Sequence, residues 1–345
     1  MIVFTWLKIA WNAVAYFLLG LVVMFTGGGA WRCLSGGELM TREGLDAYRA
    51  DIPGAKIHFL ATGSSDAILL ESGSHFALVD CAEDSDNPTG DPGLNLTGFE
   101  EYVRDYVKHA AAGADGKVVL DFILGTHAHS DHIGGFDTLL ADPDITAKKA
   151  FLQRYTEEGM NDTERGWDNE EVYQAMLDAC AAKGIPVVQD IPAEPFALGA
   201  FTITILNGGY DEPWLKSGDE NDNSLGVLAE AGGRRAFLAG DINWTQSGDE
   251  MLLCSQIGRV DLLKVGHHGY GGSTSIPFAA ALRPKIAVFT NNFGSIPQET
   301  ETTLALFANS KLCCTGDFGG IVAVFGSDEV ALYAIGDKPV PSPWA

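Results

Sequence analysis

The sequence predicts a mixed α/β (α+β) domain between about residues 57 and 336, built from two β-rich halves with helices packed on the outside. Short apolar runs separated by Gly and Ser, such as IHFLA, AILLE and HFALVD, are typical of consecutive strands. Segments with the helical spacing of apolar residues follow the strands in each half. Because strands and helices are grouped in this way, we expect one core that is covered by helices.

The first half supplies two helices and one buried strand after these early strands. FEEYVRDYVKHAAA at 99–112 has helical spacing, and TERGWDNEEVYQAMLDACAAKG at 163–184 predicts a longer helix that ends at Gly184. Between them, VVLDFILGT at 118–126 is a near-continuous apolar run. It predicts a single strand that is covered on both faces.

The second half repeats this alternation of strands and helices. FTITIL, SLGVLAEA, RRAFLAGD, VDLLKV and KIAVFT predict strands, whereas IPFAAALRP and TETTLALFANS predict helices. GGIVAVFG and EVALYAI predict a terminal hairpin, and the Pro-rich residues 337–345 predict a tail.

Residues 1–30 predict a single transmembrane helix that anchors the chain. Residues 9–26 carry no charge, and with the apolar stretch before Lys8 the segment can cross a hydrocarbon core about 30 Å thick. A cleaved signal peptide, which would give a secreted protein, is the alternative, but the first seven residues lack a charged region. Lys8 on one side and Arg32 with acidic neighbours on the other favour a single-pass membrane protein whose main domain is extracytoplasmic. Residues 31–56 are then a linker.

The formal net charge of −24 restricts the classes of partner. An acidic surface repels phosphate backbones and lacks the lysine patches on which non-specific nucleic-acid binding depends. Nucleic acid is therefore disfavoured as a partner, unless bound metal ions offset the charge locally. Six cysteines without CxxC pairs or zinc-finger spacing predict no dense disulfide framework.

A cluster of metal-binding side chains follows the strand predicted at 118–126. Residues 125–135 read GTHAHSDHIGG, which places three of the eight histidines and an aspartate on one turn. His127 and His129 are two apart in extended backbone and point the same way, while Asp131 and His132 follow as the chain turns. Imidazole and carboxylate groups bind Zn²⁺, Mn²⁺ or Fe²⁺, and oxygen-containing ligand sets favour an open catalytic site over a closed structural one.

The HxHxDH pattern resembles the signature of the metallo-β-lactamase fold, a four-layer αββα sandwich with metals at the strand ends. In that resemblance, ALVDCAED at 77–84 implies that Asp80 supports the metal ligands from behind. FLAGD at 237–241 implies that Asp241 bridges two ions, and VDLLKVGHHGYGGSTS at 260–275 resembles the stretch of the last metal histidine. The ligand of the family usually precedes Gly, which selects His268. His267 is then a substrate contact or a proton donor, or else a residue that only fills the loop.

The same segments resemble two branches of this family. VDLLKVGHHGYGGSTS is similar to the hydrolase domain of the ComEC competence proteins. LDFILGTHAHSDHIGG, ERGWDNEEVY and NDNSLGVL look like the surface esterases that remove phosphorylcholine from teichoic acids. The resemblance covers nearly all of 57–336 and implies a phosphodiester or cell-envelope substrate. For a choline-bearing substrate, Trp167, Tyr155, Trp214 and Tyr210 are candidates for an aromatic wall.

One position departs from the family pattern. Many members have a third histidine for the first metal, between the HxHxDH motif and the bridging aspartate. This chain has no histidine between His132 and His267. Where that ligand is expected it reads NDNSL at 221–225, with Asn221, Asp222 and Asn223. The departure implies two ions held unequally, or manganese in place of zinc, because oxygen ligands suit harder ions.

Together these residues predict a metal-dependent hydrolase. One or two ions of Zn²⁺, or of Mn²⁺, would lower the pKa of a bound water, and Asp131 would orient that water as well as bind metal. Ser273, Thr274 and Ser275 either bind phosphate oxygens or cap the helix that starts near Ile276. The alternatives are a ComEC-like nuclease that degrades DNA and a non-catalytic binding protein of the same fold. A β-lactamase role is disfavoured by the missing histidine.

Overall fold

The computed structural model describes residues 44–85, 97–208, 218–244 and 249–336. The predicted anchor at 1–30, the first half of the linker and the tail at 337–345 lie outside these ranges. Within them, no helix has the length and apolar character that crossing a membrane requires.

Strands supply most of the regular structure in the described ranges. In chain order they are β1 (Asp46–Ala47), β2 (Ala55–Phe59), β3 (Ala67–Ser72), β4 (His75–Cys81), β5 (Val118–Leu120), β6 (Phe122–Gly125), β7 (Ile145–Ala147), β8 (Ala150–Leu152), β9 (Val187–Val188), β10 (Phe196–Leu198), β11 (Phe201–Leu206), β12 (Gly226–Ala231), β13 (Arg234–Leu238), β14 (Leu262–Lys264), β15 (Ile286–Phe289), β16 (Lys311–Cys314), β17 (Ile321–Phe325) and β18 (Val330–Ala334).

Helices of four to fifteen residues connect these strands. They are α1 (Glu100–Ala111), α2 (Ser130–Ile133), α3 (Phe136–Ala141), α4 (Asn169–Lys183), α5 (Asp249–Ile257), α6 (Ile276–Leu282), α7 (Gln298–Thr303) and α8 (Thr315–Phe318). Single turns of 3₁₀-helix occur at Glu164–Gly166, Glu220–Asn223, Gly266–Gly269 and Phe293–Ser295, and a π-helical turn occurs at Leu304–Ala308.

The strands form two large sheets and one short ladder. The first sheet has nine strands in the order β1-β18-β17-β2-β3-β4-β6-β8-β9, and the second has seven in the order β10-β11-β12-β13-β14-β15-β16. In the first sheet β4, β6, β8 and β9 run parallel, and in the second β13 to β16 run parallel. The predicted terminal hairpin is present as the antiparallel pair β17–β18.

The sheets pack face to face, and helices cover their outer faces. Alternation along β3 shows the layering, because Ile68 and Leu70 belong to the core between the sheets while Leu69 packs with residues of α1, α3 and α4. On the other side of the molecule, Phe237 and Leu263 pack with residues of α5 and α6. The predicted mixed α/β architecture with outer helices is confirmed for the described residues.

The strand predicted at 118–126 is interrupted, which corrects the sequence prediction. β5 pairs with β7 in a separate two-stranded ladder, whereas β6 joins the first sheet. The break falls at Asp121, whose N–H donates to the carbonyl of Phe76 at 2.7 Å. The carboxylate of Asp121 contacts the partly exposed side chains of Lys148 and His75 at 2.5 and 2.9 Å. The chain therefore changes its pairing partner at a charged residue whose side chain contacts partly exposed groups.

The chain joins the first sheet before the predicted domain start at 57. β1 pairs in parallel with β18, and the N–H of Tyr48 donates to the carbonyl of Ala334 at 2.7 Å. β2 then begins at Ala55 and pairs with β17. Residues 46–56 of the predicted linker at 31–56 are therefore part of the folded domain.

The helix predicted at 163–184 ends where expected but begins later. Gly184 closes α4 with a left-handed φ of 67°, a conformation that glycine adopts without steric cost. At the other end, Glu164–Gly166 forms a separate turn, and the helix starts only at Asn169. This separate turn brings Glu164 to the functional site described next.

Candidate metal centre

Six side chains that the sequence predicts as metal ligands converge at one end of the sandwich. They are His127, His129, Asp131, His132, Asp241 and His268. The first two follow β6, the next two lie on α2, and the last two follow β13 and β14. The N–H of Leu225, just before β12, donates to the carbonyl of Thr126 at 2.9 Å, which joins the end of the first sheet to the second. Donors from both sheets therefore meet in one place.

Four of these side chains are arranged around one point. The Nε2 atoms of His132 and His268 are 3.2 Å apart. Asp241 has one carboxylate oxygen 3.2 Å from Nε2 of His132 and the other 3.3 Å from Nε2 of His268. Asp131 Oδ2 lies 3.1 Å from Nε2 of His268 and 3.9 Å from Nε2 of His132. Tetrahedral zinc ligands with bonds of about 2.1 Å lie roughly 3.3 Å from one another, so these separations fit one ion.

His127 and His129 form a second pair of donors. Nε2 of His127 lies 2.9 Å from Nδ1 of His129. The other nitrogen of His127 contacts the hydroxyls of Thr126 and Ser224 at 3.0 and 3.1 Å. The other nitrogen of His129 is 2.8 Å from Oε2 of Glu164. These contacts from behind fix which nitrogen of each ring faces the pair.

His132 is held by Asp80, in the manner that the resemblance implies. Asp80 Oδ2 lies 2.8 Å from Nδ1 of His132, which leaves Nε2 facing the donor set. Thr126 donates its N–H and its hydroxyl to the two oxygens of Asp80 at 2.8 Å each. A carboxylate behind an imidazole ligand fixes the orientation of the ring and raises its basicity.

Asp66 is a buried carboxylate that sequence reasoning missed. Together with His132, Asp241 and His268 it forms a group whose donor atoms lie within 4.8 Å of one another. Its oxygens are 3.3 Å from Nδ1 of His268 and 3.8 Å from Nδ1 of His132. Because Asp66 faces the backs of both rings while Asp241 faces both Nε2 atoms, we assign Asp66 to positioning the rings. The buried amino group of Lys264 forms an ion pair with Asp66.

The turn at Gly266–Gly269 separates the two adjacent histidines. His267 and His268 both have left-handed backbone, with φ of 49° and 50°, which is uncommon outside glycine. His268 enters the donor set, whereas Nε2 of His267 stays 4.0 Å from Oδ2 of Asp241 with 28% of its side chain exposed. Gly269 closes the turn, and a Cβ there would lie 2.4 Å from the ring of Phe289. The structure thus places His268 among the donors. His267 lies at the side of the site that is partly exposed to solvent, which is called the opening below.

Close packing behind α2 explains the glycine pair of the motif. A Cβ on Gly135 would lie 2.4 Å from the carbonyl oxygen of Cys81, and one on Gly134 would lie 2.6 Å from that of Ser130. Only glycine lets the backbone approach so closely. The position of α2, which carries Asp131 and His132, depends on this approach.

Burial and neighbouring charges set the pKa values of the donors. Burial lowers the pKa of His127, and the adjacent His132 and His129 rings lower it further. Burial also opposes charge on His129, but Glu164 outweighs it and raises the pKa of His129 to about 9. For Asp241, burial is outweighed by the histidine rings beside it, which hold its pKa well below the usual range.

The donor set fits a bound cation. Each pair of opposed imidazole nitrogens can share only one proton, whereas a cation lets both nitrogens act as ligands. The buried carboxylates of Asp66, Asp80 and Asp241 are accompanied by one buried lysine, Lys264. Burying such an excess of negative charge is costly, and a dication at this point offsets it.

A comparison with protein families assigns the chain. Residues 78–271 match a model described as the beta-lactamase superfamily domain. The match covers more than half of the chain and includes all six donors. The chain belongs to the β-lactamase superfamily. It is a hydrolase-like member of mixed α/β fold with a candidate metal site.

Two curated relatives share part of this superfamily domain. ComE operon protein 3 of Bacillus subtilis is 28% identical over 177 residues, which make up 51% of this chain and 20% of that protein. Recombination protein 2 of Haemophilus influenzae is 31% identical over 72 residues, 21% of this chain and 9% of that protein. The matched segments are thus a small part of both relatives. Among solved structures, the metallo-β-lactamase fold protein YhfI of Bacillus subtilis has a TM-score of 0.49 at 13% identity and covers 78% of this chain and 99% of its own.

Asn223, in the segment where the resemblance expects a third histidine, contacts Glu220. Its side-chain amide donates to Oε2 of Glu220 at 2.8 Å. Glu220 in turn accepts a hydrogen bond from the N–H of Ala128 at 3.1 Å, between the two histidines of the second pair. The NDNSL segment therefore braces the turn behind that pair. Glu220 was missed by sequence reasoning because its partner lies 92 positions away in the chain.

The hydroxyls proposed for phosphate binding are buried in this superfamily domain. Ser275 is the N-cap of α6 and accepts from the N–H of Phe278 at 3.3 Å, which is the capping alternative of the prediction. Ser273 donates to the carbonyl of Tyr270 at 2.9 Å. Thr274 is 1% exposed, and its hydroxyl has no hydrogen-bond partner in the described chain. Ser275 thus takes the capping role that was one alternative of the prediction, and phosphate binding by Ser273 or Thr274 stays a prediction.

Trp167 borders the opening together with acidic groups. Its ring lies edge to face with that of His129, with centroids 5.0 Å apart. Nearby, burial and the charge of Asp131 raise the pKa of Glu83 to about 9. Burial raises the pKa of Asp168, directly after Trp167, to about 6. One side of the site is therefore aromatic and acidic.

The other aromatic candidates lie elsewhere or outside the described residues. Tyr155 is buried, and its ring packs 5.7 Å from that of Tyr173 in the helical layer. Tyr210 and Trp214 fall in a range that the structure does not describe. Of the two candidates that the structure describes, Trp167 lies beside a donor.

Proposed function

We propose that this protein is a metal-dependent hydrolase that cleaves phosphodiesters with a water molecule activated at the candidate metal centre. The observation that carries the proposal is the convergence of buried donors from both sheets on a site with one open side. Asp131 keeps 23% of its side chain exposed there, whereas the side chains of Asp241 and His268 are almost fully buried. A ligand set that remains open to solvent is typical of catalytic rather than structural metal sites.

The arrangement assigns a role to each side chain around the opening. Asp131, His132, Asp241 and His268 would hold one ion, and the histidine pair after β6 would hold a second. A bound dication lowers the pKa of a coordinated water towards neutrality and polarises a phosphoryl oxygen. Asp131 orients the attacking water from the open side. His267, within 4.0 Å of Asp241 and partly exposed, is placed to contact the substrate at the open side.

The donor chemistry favours Zn²⁺ at the site of His132 and His268. Two imidazoles and two carboxylates are a common ligand set for that ion. The pair His127 and His129 lacks a third histidine, so we propose weaker binding of Zn²⁺ or Mn²⁺ there. The two positions are then filled unequally.

A phosphorylcholine ester or a related cell-envelope polymer is the substrate class that the opening supports best. A quaternary ammonium group is recognised by an aromatic face and by nearby negative charge. Trp167 supplies the ring, and Asp168, whose pKa of about 6 leaves it ionised at neutral pH, supplies negative charge directly beside it. The negative charge of Asp168 also opposes the binding of a polyanion.

DNA is the second candidate substrate. Its support is the similarity to ComE operon protein 3 and to Recombination protein 2, whose name refers to a process that acts on DNA. Against it stands the net charge of −24, which opposes binding of a phosphate backbone. A binding protein without catalysis is a third alternative, but it has no need of Asp131 at the open side.

We further propose that the hydrolase acts at the cell membrane, with its domain outside the cytoplasm. The uncharged residues 9–26 support this location, as does the placement of Lys8 before them. Secretion after cleavage of the segment is the alternative.

Three substrates in parallel test the proposed function. The metal-loaded protein is assayed with p-nitrophenyl-phosphorylcholine, bis(p-nitrophenyl) phosphate and a single-stranded oligonucleotide in Mn²⁺. We expect turnover of the first two above the rate with metal alone, and we expect Trp167→Ala to raise KM for the choline ester but not for the other ester. Cleavage of DNA without hydrolysis of the choline ester would move the assignment to the nuclease. If none of the three substrates is turned over, the proposed hydrolase function is wrong.

A further inference from the structure

A groove lies at the end of the second sheet opposite the metal centre. Its walls come from the amino-terminal ends of the parallel strands β14, β15 and β16, whereas Asp241 and His268 follow the carboxyl ends of β13 and β14. Strands rise about 3.3 Å per residue, so roughly 10 Å or more of strand separates the two sites. The groove encloses a cavity of about 560 Å³.

Cationic side chains dominate the lining of this basic groove. The charged and polar lining residues are Arg259, Asp261, Arg283, Lys285, Asn309 and Lys311. The four cationic residues are exposed. The single carboxylate, Asp261, is already paired with Lys285 at 2.8 Å. Within the described residues, the side chains of Arg259, Arg283 and Lys311 have neither an ion-pair nor a hydrogen-bond partner.

The concentration of positive charge here contrasts with the rest of the protein. Residues 218–336 contain seven lysines and arginines in a chain with a net charge of −24. Lys264 is buried beside the metal centre, and the other six lie at the groove or next to it. Arg234 contacts Asp261 at 3.4 Å, and Arg235 donates to the carbonyl of Arg259 at 3.1 Å. An acidic protein has no need of such a cluster for solubility.

The partial negative charges at helix C-termini offset only part of the positive charge at the groove. α5 and α6 end close to Arg259 and Arg283, and the turn at Leu304–Ala308 ends beside Asn309. Each helix C-terminus carries about half a negative charge, so three of them offset roughly one and a half positive charges. With Asp261 included, roughly one and a half of the four positive charges remain unbalanced.

We propose that the basic groove binds a small anion that carries one or two phosphate groups. The two guanidinium groups offer forked donors that match phosphate oxygens, and the two ammonium groups add point charges. The volume falls within the range of small-molecule sites, about 300–1,000 Å³. Nucleic acid requires a long basic stripe, and a membrane surface requires a flat or convex one, whereas this site is concave.

Inorganic pyrophosphate is the probe that tests the proposal, by calorimetric titration of the full-length, metal-loaded protein at low salt. The test variant combines Arg283→Gln with Lys311→Gln, which removes two unpaired charges and no contact within the fold. The control combines Lys117→Gln with Arg154→Gln, which changes the net charge equally at exposed positions away from the groove. We expect the test variant to bind pyrophosphate about tenfold more weakly, and the control to match the unmodified protein.

Equal affinity in the test variant and the unmodified protein would overturn the proposal, because binding would then occur at the metal centre or through net charge. Absence of saturable binding to the unmodified protein would overturn it as well. The same variants are tested with a labelled single-stranded oligonucleotide and with phosphatidylglycerol vesicles. If the groove substitutions weaken either of these and leave pyrophosphate binding unchanged, the surface serves a macromolecule and the small-anion assignment is wrong.

Discussion

Asp131 is the donor that connects the metal centre to solvent. Its carboxylate lies 3.1 Å from Nε2 of His268, and it is the most exposed of the side chains around His132. The backbone carbonyl of Asp131 also accepts from the N–H of Asp66 at 3.0 Å, which ties the short helix to the start of β3. The side chain can therefore change without loss of this backbone contact.

Asp131→Ala is expected to abolish turnover and leave the domain folded. Loss of the group that orients the water lowers kcat by roughly two to four powers of ten. Initial rates with bis(p-nitrophenyl) phosphate measure the loss, and circular dichroism checks the fold. Asp328→Ala, at an exposed position, is the control. Turnover near that of the unmodified protein in Asp131→Ala would remove the proposed mechanism.

Glu164→Gln is expected to weaken metal binding at the histidine pair. Glu164 is 3% exposed and lies 2.8 Å from Nε2 of His129, so its charge makes the opposite nitrogen a better ligand. We expect about a tenfold loss of affinity for the weaker ion, measured by competition with a chromogenic chelator. Glu157→Gln, an exposed change nearby, is the control. Equal affinities in the two variants would show that Glu164 does not support the ligand.

At the level of single residues, the sequence predicts donors that are neighbours in the chain. His127, His129 and His132 share one turn, so their common purpose is visible without a structure. Asp66 and Lys264 are not visible, because each is an isolated charge in an apolar stretch whose partner lies far away in the chain. Only the fold shows that they form an ion pair behind the histidine rings.

The loop after His268 is braced by a carboxylate on a neighbouring helix. Glu250 on α5 accepts from the N–H of Thr274, and it accepts from the N–H of Ser275 at 2.7 Å. Glu250 is 1% exposed, and burial raises its pKa to about 7 although the hydrogen bonds oppose the shift. The end of the loop that leads into α6 is thus held by α5.

The stability that Glu250 contributes is expected to fall as pH rises. A carboxyl whose pKa is 4.5 when unfolded and about 7 when folded binds its proton more tightly in the folded state. Its contribution is therefore fully present below pH 4.5 and is lost as pH rises through about 7. Gln at this position does not titrate. The stability of the unmodified protein relative to Glu250→Gln should therefore be higher at pH 5 than at pH 8.

Thermal unfolding of both proteins at pH 5 and pH 8 measures this difference. Glu299→Gln, which alters an exposed glutamate, serves as the control and should show no such pH dependence. A difference between the unmodified protein and Glu250→Gln that is the same at both pH values would contradict the raised pKa of Glu250.

Elements were predicted well where the local pattern is decisive. The hairpin β17–β18 and the end of α4 at Gly184 follow the prediction. The interruption at Asp121 was missed, because the residues on both sides of it are equally apolar. Which of two ladders a strand joins depends on partners elsewhere in the chain, and VVLDFILGT contains no trace of them.

For the whole molecule, the layering could be predicted but the order of the strands could not. The alternation of strands and helices in both halves indicates a covered core, whereas β17 and β18 return from the end of the chain to pair beside β2. The charge distribution also needed the fold. The cations of 218–336 are spread along the sequence, and only the arrangement of β14 to β16 gathers them at one edge.

Anomalous diffraction from crystals grown with Zn²⁺ shows whether these side chains bind metal. We expect a peak at about 2.0–2.2 Å from Nε2 of His132, Nε2 of His268 and the carboxylates of Asp241 and Asp131, with a weaker peak at His127 and His129. No anomalous signal at this end of the sandwich, or these side chains turned away from one another, would contradict the proposed metal binding.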